Sequence, residues 1–181
     1  MNALETIREF YPEDTPLRRL LIRHSEQVRD KALQILKESG VSADPDIVSC
    51  GAMLHDIGIG SCHAPGILCT GTEPYILHGV IGARLLRARG PQWEVFARIC
   101  ERHTGAGITA QEAAAQKLPL PPGDYLPETN EEKLICLADK FYSKSGDMKE
   151  KNLPDIRRSL EKFGPATLDR FDALCRLFRL S

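Results

Sequence analysis

Five histidines punctuate the chain, and four of them stand with two aspartates in an order suited to metal chemistry. His24 lies in a long amphipathic segment, and His55 and Asp56 are adjacent in MLHDIGIG. His78 opens LHGVIGARLL, His103 closes ICERHTGAG, and Asp139 sits in LICLADKFY. Imidazoles and carboxylates hold divalent transition metals while leaving positions open for water and substrate. Alone, a histidine on an apolar helix face is more often a packed core residue than a ligand. The carboxylates are harder to dismiss, because an ionised carboxyl group buried without a partner costs several kcal/mol. Asp56 sits between Leu54 and Ile57, and Asp139 follows Leu134, Ile135 and Leu137. One explanation covers all six side chains: they converge on cations, as in a metal-dependent hydrolase.

These residues require helices to position them. Nearly every patterned segment repeats at i, i+3, i+4, and no strand-like alternation is visible, so the expected fold class is all-α. A short helix is expected over residues 3–11. The next begins with Thr15 as N-cap and Pro16 in first position, ends at Gly40, and carries His24 on the stripe Leu17, Leu20, Leu21, Val28, Ala32, Ile35. Asp44-Pro45 signals a third helix running to about Ile57, broken by Gly58 and Gly60. The stretch SCHAPGILCTGTEP reads as a loop. Pro74 then opens a helix bearing His78, and another runs from about Gln92 to His103. Thr109/Glu112 and Thr129/Glu132 have capping-box spacing, the second just before the Asp139 helix. Between them, LPLPPGDYLPE is too rich in proline for a helix and is expected to be an ordered or lid-like loop. Two closing helices flank Phe163-Gly164-Pro165. With no internal repeat or linker, residues 1–181 read as one domain, with a core at about 20–145 and closing helices in 150–181.

Composition narrows the partners. The apolar share is 42%, and 24 Lys+Arg stand against 25 Asp+Glu. That balance gives no electrostatic reason to expect long nucleic acid or a membrane surface as partner. No stretch approaches the roughly 18 apolar residues of a membrane span. MNALETIREFYPEDTP lacks the apolar core of a signal peptide, so a cytoplasmic location is expected. The six cysteines form no C-x-x-C pair and read as small buried hydrophobes. Cys62, His63 and Cys69 share one loop, but three ligands at that spacing match no familiar zinc site.

With the ligand candidates placed, the sequence resembles the HD superfamily of metal-dependent phosphohydrolases, named for its His-Asp doublet. The resemblance covers roughly residues 20–145 and implies a helical-bundle HD domain. His24, His55, Asp56 and Asp139 match the family's four core positions, and HDIG stands at 55–58. His78 and His103 stand where a two-metal subset carries further histidines. RHTGAGIT (102–109) and PPGDYLPET (121–129) are similar to stretches in small HD proteins of bacteria and archaea. The GYP tripeptide of the HD-GYP branch is missing.

The resemblance implies that His24, His55 and Asp139 hold one metal, His78 and His103 a second, and that Asp56 bridges both as the central catalytic residue. Two divalent ions (Fe, Mn, Co, Ni or Zn) would share a hydroxide that attacks phosphorus in a nucleotide or other small phosphoester. A di-iron oxygenase and a non-catalytic metal- or nucleotide-binding module are the competing readings. No substrate-binding residue is assigned. Lys140, Lys144, Arg98 and Arg102 lie near ligand positions and are candidates for phosphate contact, although a solvated helix face is the commoner role for each. The two loops, 61–74 and 118–128, are expected to restrict entry to small substrates.

Overall fold

The computed structural model describes residues 2–180. Nine α-helices lie among them: α1 (Ala3–Phe10), α2 (Pro16–Ser39), α3 (Pro45–Leu54), α4 (His78–Arg87), α5 (Glu94–Arg102), α6 (Ala110–Ala115), α7 (Asn130–Asp139), α8 (Leu153–Leu160) and α9 (Pro165–Leu177). None is long and apolar enough to cross a membrane. The expected all-α class holds, and four of the starting signals act as read. Pro74 does not open α4, because it ends a short strand and a single 3-10 turn, Tyr75–Leu77, precedes the helix, which begins at His78. Thr15 caps α2 through the Arg18 amide with Pro16 following, and Gly40 ends it at φ 69°. Asp44 caps α3 through two amides. Both expected capping boxes form, at Thr109/Glu112 and Thr129/Glu132. Each such cap is worth about 1 kcal/mol, because it satisfies amides the first helical turn leaves orphaned.

Helix α2 is the spine. It packs along α3 and α7, while α5 touches α3 and α7 and pairs closely with α4. Leu21, Val28, Ala32 and Ile35 of α2 meet Val48, Leu54, Ile99, Leu134 and Ile135 in a shared core. His24 sits in the middle of that buried stripe.

Other stretches also differ from the expectation, two of them at the site. Helix α3 stops at Leu54 rather than Ile57, so His55 and Asp56 lie in the tight turn that follows. His103 likewise lies one residue beyond α5. The 61–74 stretch is not plain loop. Strands β1 (Cys62–Ala64), β2 (Cys69–Thr70) and β3 (Glu73–Pro74) form a small sheet of order β2-β1-β3, antiparallel between β1 and β2 and parallel between β1 and β3. Strands of two or three residues are too short for alternation to show in a sequence.

Two glycines allow the turn and helices to approach. A Cβ on Gly58 would lie 2.2 Å from the His78 carbonyl oxygen, and one on Gly79 would lie 2.4 Å from that of Cys100. These are contacts with backbone, which cannot rotate away. Gly79→Ala is therefore expected to lower unfolding stability by about 1–3 kcal/mol in a urea titration. Gly66→Ala, with nothing within 4 Å of its added methyl group, is the matched control and should stay within about 0.5 kcal/mol. Equal effects would refute this account of the packing.

Candidate metal centre

Six side chains from five places in the chain meet at one point. His24 comes from the middle of α2, His55 and Asp56 from the turn after α3, and His78 from the start of α4. His103 follows α5, and Asp139 ends α7. All six are buried.

Local backbone chemistry aims three of the imidazoles. The Nδ1–H of His55 donates to the Ala52 carbonyl at 2.6 Å, that of His78 to Tyr75 at 2.6 Å, and that of His103 to Cys100 at 2.7 Å. Each acceptor lies three residues upstream. With Nδ1 committed as donor, the neutral ring presents an unprotonated Nε2 to the centre. The Tyr75 ring stacks on His78 at 4.6 Å and fixes its plane. The turn itself is pinned by Tyr11, whose hydroxyl donates to the Ile57 carbonyl at 2.7 Å and accepts from the Gly60 amide at 2.9 Å. Spacing in the sequence carries no hint of that role for Tyr11.

The Asp56 carboxylate divides the cluster. Its Oδ2 faces His24 Nε2 at 3.4 Å and His55 Nε2 at 3.2 Å. Its Oδ1 faces His78 Nε2 at 3.4 Å and His103 Nε2 at 3.5 Å. Asp139 Oδ1 completes the first group, 2.9 Å from His24 and 3.5 Å from His55. Two sets of potential ligands result: His24, His55, Asp56 and Asp139, and then Asp56, His78 and His103.

A cation fits these residues on two grounds. His78 Nε2 and His103 Nε2 lie 3.0 Å apart, although each ring already donates through Nδ1. Two lone pairs face one another there, a repulsive arrangement that a cation between them reverses. His55 Nε2 and both Asp56 oxygens, all buried, also make no well-oriented hydrogen bond. The spacings agree as well: bonds of about 2.1 Å put neighbouring ligands about 3.0 Å apart around an octahedral ion and about 3.4 Å around a tetrahedral one.

Electrostatics follow from burial. Burial, helped by Lys144, pushes His24 down to about 4, and burial pushes His78 down to about 3 and also lowers His103. Burial opposes charging His55 too, but Asp56 and Asp139 outweigh it and push it up to about 9. Burial would raise both carboxyl groups, yet their neighbours hold them well below the usual range: His55 and Lys144 for Asp56, Lys140 and Lys144 for Asp139. Lys144 Nζ lies 2.6 Å from Asp56 Oδ2, and Lys140 Nζ lies 2.6 Å from Asp139 Oδ2.

Of the four cations named as possible phosphate contacts, only these two lysines reach the site. Arg98 pairs with Glu128 and Glu132, and Arg102 with Glu128 and the Leu126 carbonyl. They fasten the 118–128 segment instead. That segment is ordered: Tyr125 bridges to Ile108 through two backbone hydrogen bonds, and of residues 118–128 Leu118 alone lines the cavity over the centre. The cavity holds about 540 Å³, and its walls include Tyr75, Thr104–Gly105 and residues from 139–167. The Cys62, His63, Cys69 combination does not assemble either, since both cysteines are buried while His63 points out from β1.

The sequence model of the HD domain matches residues 21–143. The chain belongs to the HD-domain family. It is 41% identical to the uncharacterized protein MJ0778 of Methanocaldococcus jannaschii over 76% of this chain and 71% of that protein. It is 37% identical to the tRNA (cytidine(56)-2'-O)-methyltransferase of Thermoplasma volcanium and 40% identical to that of Picrophilus torridus. Those matches cover 76% and 75% of this chain but only 36% and 35% of the methyltransferases. The HD domain of the L. monocytogenes phosphodiesterase PgpH superposes with a TM-score of 0.51 at 16% identity, covering 92% of this chain and 97% of that one. The same domain in complex with cyclic-di-AMP gives 0.52 at 17% identity, covering 98% and 93%. At such identities the likeness is one of fold.

We propose that the six converging side chains are the ligands, with Asp56 shared. Asp56→Ala is expected to strip bound metal completely in elemental analysis, His78→Ala to remove one ion of two, and His63→Ala to remove none. Metal loss from His63→Ala as complete as from Asp56→Ala would refute the assignment.

A second expectation concerns pH. In the metal-free protein His55 carries a proton below about 9, and a ligand must shed its proton before it binds a cation. Metal affinity should therefore rise by about tenfold per pH unit between pH 6 and 8 and flatten above 9. His24 and His78 are neutral throughout that range and add nothing to the slope. A pH-independent affinity in competitive chelator titrations would show that His55 sheds no proton on binding and would refute its place among the ligands.

Proposed function

We propose that the chain is a metal-dependent phosphohydrolase acting on a nucleotide or another small phosphoester. The observation that carries this reading is the division of Asp56: one buried carboxylate turns one oxygen to His24 and His55 and the other to His78 and His103. That arrangement suits two divalent cations side by side, drawn from Fe, Mn, Co, Ni or Zn, since the donors are nitrogen and oxygen only. When bound, such a pair lowers the pKa of water and offsets charge on phosphoryl oxygens.

The chain's own groups supply the rest. The upstream carbonyls hold His55, His78 and His103 in one tautomer, so the site needs no rearrangement as it works. Lys144 and Lys140 bring positive charge to the cavity floor, where charge on a phosphoryl group would be stabilised. The Tyr75 ring and the 104–108 turn wall the site and limit water. Lysines beside a nitrogen–oxygen donor set favour phosphate chemistry over oxygen activation. The methyl transfer named for two relatives is not proposed here: the chain spans about a third of those proteins.

The test is hydrolysis by metal-depleted protein reconstituted with Mn, Co or Fe, scored on a panel of mono- and dinucleotides and small phosphoesters. Phosphate release or ester cleavage should depend on added metal, vanish with chelator, and be lost in Asp56→Ala. Folded RNA should remain intact. Oxygen consumption without ester cleavage would replace this reading with the di-iron oxygenase one, and cleavage of RNA alone would overturn the small-substrate choice.

A further inference from the structure

The match to the HD domain ends at residue 143, but the cavity over the metal centre does not. Much of its wall is built by later residues, among them Lys144, Lys151, Lys162 and Phe163. The charges there are unequal. Asp56 and Asp139 are the carboxylates at the centre, and Lys140 and Lys144 already contact them. Lys151 and Lys162 are two further lysines in the cavity wall. The remaining acid in the wall, Glu112, is taken by Arg170 at 2.8 Å and by its own capping box. Positive charge is therefore in excess before any divalent cation enters. Once the carboxylates serve as ligands, the lysines lose their partners as well.

A phosphodiester group carries one negative charge, whereas a terminal phosphate carries about 1.5 to 2 at neutral pH and presents three acceptor oxygens. The second matches the surplus better. A further feature of the wall is the exposed ring of Phe163, 45% accessible, with the Lys162 ammonium 4.9 Å from its centroid. An aromatic face at the rim of a 540 Å³ cavity is a stacking platform for a planar base.

We propose that residues 144–163 set the specificity of this site for a nucleotide presented through a terminal phosphate, a phosphomonoester rather than a diester. Lys144 and Lys151 grip the phosphate oxygens, and Phe163 stacks on the base. This rests on the phosphohydrolase reading above. The reaction balances as hydrolysis: the bond from phosphorus to the ester oxygen breaks, the oxygen of water bonds to phosphorus, and the freed nucleoside oxygen takes up one of water's protons.

The test uses the full chain loaded with manganese and four esters: adenosine 5′-monophosphate, glycerol 2-phosphate, bis(p-nitrophenyl) phosphate and cyclic-di-AMP. Binding of adenosine 5′-monophosphate is measured in parallel by calorimetry. Metal content and melting temperature confirm that Lys151→Met and Phe163→Ala remain folded and loaded. The nucleotide is expected to exceed both diesters in kcat/KM by at least about tenfold, the discrimination expected when charge-assisted bonds go unmade. Lys151→Met should raise KM and Kd for the nucleotide by about tenfold. Phe163→Ala should raise them by about fivefold, with no change for glycerol 2-phosphate, which offers no ring to stack. Faster cleavage of either diester would overturn the proposal and leave the hydrolase reading intact. So would variants that bind the nucleotide as tightly as the parent. If nothing is cleaved, the hydrolase reading fails, and calorimetry still decides the clamp: weaker binding by both variants upholds it, and unchanged or undetectable binding ends it.

Discussion

The Asp56 carboxylate is wholly buried and ionised, and its two oxygens face different groups of imidazoles. Such a charge is tolerated in a protein interior only when it is surrounded by compensating charge and donors. Lys144 supplies part of that compensation through a 2.6 Å contact, yet neither oxygen gains a well-oriented hydrogen bond. The surrounding architecture answers this one requirement. Helices α2, α3, α4, α5 and α7 bring a histidine or an aspartate to the same point at, or close to, their ends, with α2 the exception. The glycines at 58 and 79 let the backbone come close enough for this to happen.

Placement at helix ends has a chemical logic. The last turn of a helix leaves carbonyl groups without an intrahelical partner. His55 and His103 exploit this by donating Nδ1–H to Ala52 and Cys100, and His78 uses Tyr75 in the short 75–77 turn before α4. One device thus solves two problems: it satisfies backbone acceptors and commits each ring to the tautomer a metal needs. His24 cannot use it. Mid-helix carbonyls are already bonded, its Nδ1 finds no partner, and its orientation comes from Asp139 at 2.9 Å and from packing.

The same contrast between local and distant contacts decides how much of the molecule is legible in its sequence. Helix starts are legible because Thr15, Asp44, Thr109 and Thr129 cap through short-range contacts that residue spacing records. The buried carboxylates are legible because an acid in an apolar run needs an explanation. The early stop of α3 is not, since no Gly or Pro stands between Leu54 and Gly58 and the turn is held from outside by Tyr11. Nor can spacing separate Lys144 from Arg98. Both lie near ligand positions, and only the fold sends one to Asp56 and the other to Glu128 and Glu132.

The two sides of the cavity are also tied together. Arg170 of α9 donates to the carbonyls of Ala106 and Gly107 and pairs with Glu112, which caps α6. One guanidinium therefore joins the 104–108 turn beside His103 to the closing helix that follows Phe163. Its rigid fork places several donors at once, which a lysine in the same position would not do. A wall fixed in this way does not have to be ordered when a ligand arrives, so less binding energy is lost to that step. The 118–128 segment is held separately by Arg98 and Arg102, and it reaches the cavity only through Leu118, whereas Lys151 and Phe163 both line it. The cavity thus joins two parts of the chain: the histidines and aspartates at its base lie within residues 21–143, matched to the HD domain, and much of its outer wall comes from residues after 143.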